Sequence, residues 1–126
     1  DLAAEHAAWL HVDGAFGLWA AASPARREQV RGLERADSCA TDGHKWLNVP
    51  YDSGLVIVAD AAAQRAAMSA GAAYFVAGAQ GERDGMQWVP EFSRRARALP
   101  IYAALRSLGR RGVADLIERC CRHAAR

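Results

Sequence analysis

Gly54-Leu55-Val56-Ile57-Val58 is a short apolar run, rich in β-branched residues and bounded by Asp52-Ser53 on one side and Ala59-Asp60 on the other. A run of that length and composition reads as a buried strand rather than a helix. Two further segments read the same way: Trp9-Leu10-His11-Val12-Asp13, which stops at Gly14, and Ala36-Asp37-Ser38-Cys39-Ala40-Thr41, bounded by Asp42-Gly43. Helical patterns separate and follow these runs, so the chain is expected to form an α/β layer structure with buried strands.

The intervening segments carry their own punctuation. Ser23-Pro24 offers a capping hydroxyl and a first-turn proline, predicting a short helix between the first two strands. Asp60 has the place of an N-cap for a helix running to Met68. Residues 69–85 turn to glycine, alanine and polar side chains, with Tyr74 and Phe75 as bulky exceptions, and a loop of that length is usually functional or disordered. Beyond it the pattern predicts a helix over 94–108, kinked or truly begun at Pro100 and closed by Gly109. Val113, Leu116, Ile117, Cys120 and Ala124 then recur at helical spacing, so one face of a last helix should pack against a neighbour.

Composition narrows the class. With 126 residues, 52% of them hydrophobic, the chain can bury the core of one domain. The net charge of +2 is small and the arginines are spread along the chain, which argues against a nucleic-acid partner. Cys39, Cys120 and Cys121 are an odd count without metal-ligand spacing, and adjacent cysteines bridge poorly, so free thiols and no metal site are expected. No apolar run approaches the ~20 residues of a membrane span and no signal-peptide pattern is present; the expectation is a cytoplasmic protein without a membrane partner. The opening Asp1-Leu2-Ala3-Ala4-Glu5-His6 reads like the middle of a helix, and a piece of a longer polypeptide is expected.

Against this background Lys45 stands out. It is the only lysine, set in Asp42-Gly43-His44-Lys45-Trp46-Leu47-Asn48-Val49-Pro50. A composition favouring arginine explains why other lysines are missing, but not why one persists beside a histidine after a predicted strand. An amine can form a Schiff base with a carbonyl cofactor once deprotonated; a guanidinium cannot. Asp13 ends another predicted strand, and in open α/β sheets functional groups collect at the carboxyl ends of strands. For pyridoxal phosphate, Lys45 would hold the aldehyde while Asp13 pairs with the pyridine nitrogen and keeps it protonated, so that the ring withdraws electrons from the bond being broken. His44 could reach the phosphate or cover the ring, and Ala15 is small enough for a flat ring to lie on its methyl. Each also has a plain structural reading: a turn-forming aspartate, a packed histidine, an ordinary alanine. Trp46 and Trp88 read as packing residues, and Arg94-Arg95 as partners for helix ends or for carboxylates such as Glu91.

Four blocks in order, His11-Val12-Asp13-Gly14-Ala15-Phe16-Gly17, Ala36-Asp37-Ser38 leading into His44-Lys45-Trp46-Leu47, Ser93-Arg94-Arg95-Ala96-Arg97-Ala98-Leu99 and Leu105-Arg106-Ser107-Leu108-Gly109, resemble the group II pyridoxal-phosphate decarboxylases, which include the aromatic amino acid, histidine and glutamate decarboxylases. The resemblance runs from Trp9 to near the end of the chain. It implies the large domain of fold type I enzymes, with a mostly parallel central sheet and flanking helices; residues 1–126 would be its C-terminal portion, the helix over about 110–126 leading toward a small domain. It further implies pyridoxal 5'-phosphate as cofactor, Lys45 as Schiff-base lysine, Asp13, Ala15 and His44 as cofactor contacts, and decarboxylation of an L-amino acid, aromatic by family analogy, in a homodimer. Tyr74 falls where these enzymes carry the loop tyrosine that returns a proton to the substrate carbon; relatives with phenylalanine there tend toward aldehyde formation. The family's ring-stacking histidine and most of its phosphate cup would precede residue 1, so the chain alone should bind cofactor weakly and turn over nothing. Another pyridoxal-phosphate lyase, an aminotransferase, or a non-catalytic segment remain the alternatives.

Overall fold

The computed structural model describes residues 2–69 and 84–126. Tyr74 and most of the predicted 69–85 loop lie outside the described residues. The chain divides into two compact units, Asp1–Ile57 with Ala96–Arg126, and Val58–Arg95.

In the first unit a short helix α1 (Leu2–Glu5) precedes strand β1 (His11–Asp13), and strands β2 (Ser38–Asp42) and β3 (Gly54–Val58) follow, in the sheet order β1-β2-β3. β1 and β2 are parallel, with His11 opposite Ser38, Val12 opposite Cys39 and Asp13 opposite Ala40. The Gly14 N–H donates to Ala40 O at 2.8 Å and carries the ladder one residue past β1. At the other end, Ser38 Oγ receives Trp9 Nε1–H at 2.8 Å and meets His11 Nδ1 at 2.7 Å, while Asp37 Oδ2 accepts the Leu10 N–H at 2.7 Å. These side-chain bonds fix the register of a pairing only three residues long.

Three strands with one parallel pair are a small mixed α/β arrangement, less than the full, mostly parallel sheet expected. The expectation of buried strands holds for β2, whose Ser38, Cys39 and Thr41 are buried. It fails for β3, where Val56 and Ile57 are more than half exposed. β-Branched composition marked the strand correctly but says nothing about which layers cover it.

The β1–β2 crossover is three 3₁₀ segments, Gly17–Ala22, Arg27–Val30 and Leu33–Arg35, in place of the short helix predicted after Ser23-Pro24. Ser23 is fully buried there. Its hydroxyl donates to Glu118 Oε1, and Arg26 Nε lies 3.2 Å from the same oxygen. The Ser23 hydroxyl and the Arg26 and Arg122 guanidinium charges hold the Glu118 carboxyl below its ordinary range, against a smaller opposing effect of burial. Glu118 belongs to helix α3 (Ala98–Ala124), so this cluster ties crossover to helix.

α3 begins at Ala98 rather than at Arg94, which places Pro100 in the first turn, where its missing N–H costs no intrahelical bond. Gly109 interrupts the helix at φ 59°, ψ −178°, a left-handed conformation that suits the residue expected to close the first segment. Past the break, Val113 and Ile117 are buried and Leu116 and Cys120 half-buried, as the spacing predicts, while Ala124 is exposed. Leu47, Val49 and Ile101 form a core cluster, with Trp19, Leu55 and Ala104 packed on it.

The second unit contains helix α2 (Ala61–Met68), capped by Asp60 Oδ1, which accepts the Ala62 and Ala63 N–H groups at 2.9 and 3.0 Å. Gln64 Nε2 donates to Trp88 O at 2.9 Å, joining α2 to the 3₁₀ turn Gly85–Gln87. Arg94 and Arg95 lie in the irregular chain before α3.

Candidate functional site

Because β1 and β2 are parallel neighbours in register, their carboxyl ends open on one edge of the sheet, and Asp13 and the segment after Asp42 both lie there. Asp13 Oδ1 accepts the Ala15 N–H at 3.0 Å, a side-chain turn that reverses the chain at the strand end. A carboxylate has lone pairs to spare after one such bond. Gly14 is buried beneath it, and a Cβ there would stand 2.9 Å from Leu18 Cβ and 3.0 Å from both Ala40 O and Cys39 Sγ. Asp13 itself is exposed, Ala15 half-buried and Phe16 exposed.

The loop from Gly43 to Ser53 is held at several points. Gly43 N–H donates to Ser53 O at 2.9 Å, Val49 N–H to Gly43 O at 3.2 Å, and Asn48 N–H to Lys45 O at 3.1 Å, with Asn48 at φ 57° closing the turn. Leu47 and Val49 drive into the core cluster. A loop pinned on both sides of Lys45 gives its side chain a fixed base.

Lys45 Nζ lies 2.7 Å from Asp42 Oδ2 and 4.4 Å from the centroid of the Phe16 ring. The amine thus reaches back from the β2 end to a residue three positions past Asp13. The hydrogen bond from Lys45, reinforced by the charges of Lys45 and His44, holds the Asp42 carboxyl below its ordinary range, opposed in part by desolvation. His44 turns toward β3: its Nδ1 meets Ser53 O at 2.7 Å and the Ser53 N–H at 3.0 Å, and its ring meets Tyr51 in a tilted contact, 57° between planes and 4.3 Å between centroids. Whichever tautomer it takes, one Ser53 backbone group bonds Nδ1, and Nε2 is the ring nitrogen left for another partner. Beneath the edge, burial pushes the Cys39 thiol up, with the nearby Asp13 charge adding to it and a bond to the Gly14 backbone opposing.

Of the residues singled out in the sequence, Asp13, Ala15, His44 and Lys45 therefore gather around one sheet edge, whereas Tyr74 lies outside the described residues. Two were missed. Asp42 was readable from its spacing of three to the only lysine; Phe16 had no signal, since a cation–π contact across two strand ends leaves no trace in sequence spacing. A cavity of about 570 Å³, lined by Trp19, Arg27, Leu105, Arg110 and Val113 among others, lies between the crossover and α3 and contains none of the residues of this edge. Among the described residues no group of His, Cys, Asp and Glu is arranged to hold a metal ion, and no helix is long and apolar enough to cross a membrane.

Comparison with known proteins assigns the chain to a family. The family described as "Pyridoxal-dependent decarboxylase conserved domain" matches residues 1–126. Histidine decarboxylase of Drosophila melanogaster is 39% identical over 115 residues, 87% of this chain and 13% of that protein. Aromatic-L-amino-acid decarboxylase of Bacillus atrophaeus is 32% identical over 112 residues, 86% of this chain and 23% of that protein. The crystal structure of Oryza sativa TDC with PLP and tryptamine superposes with a TM-score of 0.83 at 29% identity, over 91% of this chain and 24% of that one. The chain thus spans about a quarter or less of these relatives.

Proposed function

We propose that this chain, which belongs to the pyridoxal-dependent decarboxylase family, forms the lysine-bearing part of the cofactor site of a longer enzyme that converts an L-amino acid to its amine. The observation that carries the reading is the placement of one carboxylate and one amine after the carboxyl ends of adjacent parallel strands, Asp13 on one and Lys45 on the other. Residues 1–126 would be the C-terminal portion of a fold type I large domain, whose mostly parallel sheet and small domain are completed by other parts of the polypeptide.

The donor set fits pyridoxal phosphate. When bound, that group supplies an aldehyde for an amine and an electron-withdrawing ring. Lys45 Nζ would hold the aldehyde carbon. Asp13, anchored through one oxygen to the Ala15 N–H, would keep the ring nitrogen protonated by a charge-assisted hydrogen bond. The Ala15 methyl would support the ring, and His44 Nε2 would face the phosphate, its Nδ1 being committed to Ser53. Tyr74 would return a proton to the substrate α-carbon, reaching the site of a second subunit in a homodimer. An aromatic substrate is favoured by the aromatic-L-amino-acid decarboxylase relative, with L-histidine as the competing candidate.

Incubating the complete enzyme with pyridoxal phosphate and single L-amino acids should release carbon dioxide and amine in equal amounts. Transfer of the amino group to the cofactor, without carbon dioxide, would identify an aminotransferase instead.

A further inference from the structure

The cavity between the crossover and α3 combines apolar walls with unpaired positive charge. Its volume of about 570 Å³ falls within the ~300–1,000 Å³ of small-molecule sites. Buried Val113 and half-buried Trp19 line it together with Leu105, while Arg27, Arg110 and Arg111 border it with exposed side chains. Trp19 Nε1 is buried and makes no hydrogen bond, an arrangement that costs stability until an acceptor reaches it. Among the described residues no carboxylate pairs with Arg27, Arg110 or Arg111. The acidic residues of the helix beyond Gly109 are already engaged, Asp115 with Arg119 and Glu118 with Ser23 and Arg26. Gly109 also breaks α3 at this wall, so a helix starts again at Arg110, and the first turn of a helix attracts negative charge.

We propose that this cavity is a binding site for a small amphipathic anion. An aromatic or aliphatic body lies against Trp19, Leu105 and Val113, a carboxylate or phosphate head is held by Arg110 and Arg111 with Arg27 opposite on the crossover, and Trp19 Nε1–H donates to an oxygen of the ligand. Three uncompensated cations set the sign of the ligand, and the apolar walls require that it carry more than its charge. A protein partner would need an interface on the order of 1,000 Å²; a recess of this volume matches one small molecule. The site uses neither Lys45 nor a cofactor, so it stands apart from the functional reading above.

The test is calorimetric titration of the complete, cofactor-loaded enzyme with 1-naphthoate, its neutral counterpart 1-naphthalenemethanol, and inorganic phosphate. The naphthoate should bind at one saturable site and weaken as salt rises, and the neutral and the purely ionic probes should each bind at least about tenfold more weakly, since each lacks one half of the recognition. Arg110→Gln and Arg111→Gln should each weaken naphthoate binding by about two- to five-fold, the range of exposed ion pairs. Trp19→Phe keeps the ring and removes the donor, and should weaken it by about three- to ten-fold. Leu105 is exposed, so Leu105→Trp should fold normally, as an unchanged melting temperature would show, and should block the cavity and abolish binding. No saturable binding in the complete enzyme would overturn the proposal, because other parts of the polypeptide would then fill the cavity. Binding undiminished in Leu105→Trp and in the arginine variants would overturn it as well, by placing the probe elsewhere, such as in the substrate pocket.

Discussion

In the proposed site the Lys45 amine works together with the Asp13 carboxylate at the end of the neighbouring strand. Asp13 carries one bond already, from the Ala15 N–H, which orients it. Asp13→Asn should leave that turn in place and remove the charge proposed to pair with the ring nitrogen. Decarboxylation should then fall by at least about a hundredfold, the scale of losing one preorganised electrostatic contact, while the absorbance of the lysine-bound cofactor persists. Retained activity with an unchanged spectrum would assign Asp13 to the turn alone. Tyr74→Phe should shift product from amine toward aldehyde, read by mass spectrometry of the reaction mixture; an unchanged ratio removes the proton-donating role.

Elements place these groups, and close packing at two glycines determines how. At Gly43 a Cβ would stand 3.0 Å from Ser53 Oγ, 3.1 Å from Val49 Cγ2 and 3.3 Å from Ile101 Cγ1. Gly43→Ala should therefore cost about 1–3 kcal/mol through overpacking, seen as a lower urea midpoint. It should also slow cofactor attachment, because the displaced loop carries Lys45. The strands, the Asp60 cap, the Gly109 break and the buried Val113 and Ile117 were legible in the sequence, since each depends on local periodicity or on one residue's backbone preference. The 3₁₀ crossover was not, because Ser23 is held by Glu118, 95 positions away, and no local pattern records that partner. Likewise Asp13, Ala15, His44 and Lys45 were each readable as candidates, but their gathering on one edge follows from the parallel β1–β2 register.

At the scale of the molecule, the acidic partners set how the structure responds to pH. Glu118 and Asp42 have ordinary values of 4.5 and 3.8, and both are lowered in the folded chain. The unfolded chain binds protons more readily, so their contribution is fully present above those ordinary values and disappears as pH falls through the lowered ones. Glu118→Gln should reduce the melting temperature near neutrality and flatten its fall below about pH 4.5; a parallel curve would show that the Ser23–Glu118–Arg26 cluster contributes nothing to acid sensitivity. Val56 and Ile57 of β3, and Leu99, Tyr102, Leu105 and Leu108 of α3, are exposed. In the proposed site Lys45 is the residue to which the cofactor attaches. Reducing the complete enzyme with borohydride in the presence of pyridoxal phosphate, then mapping peptides by mass spectrometry, should find the pyridoxyl group on Lys45; a stoichiometric label on any other residue would contradict it.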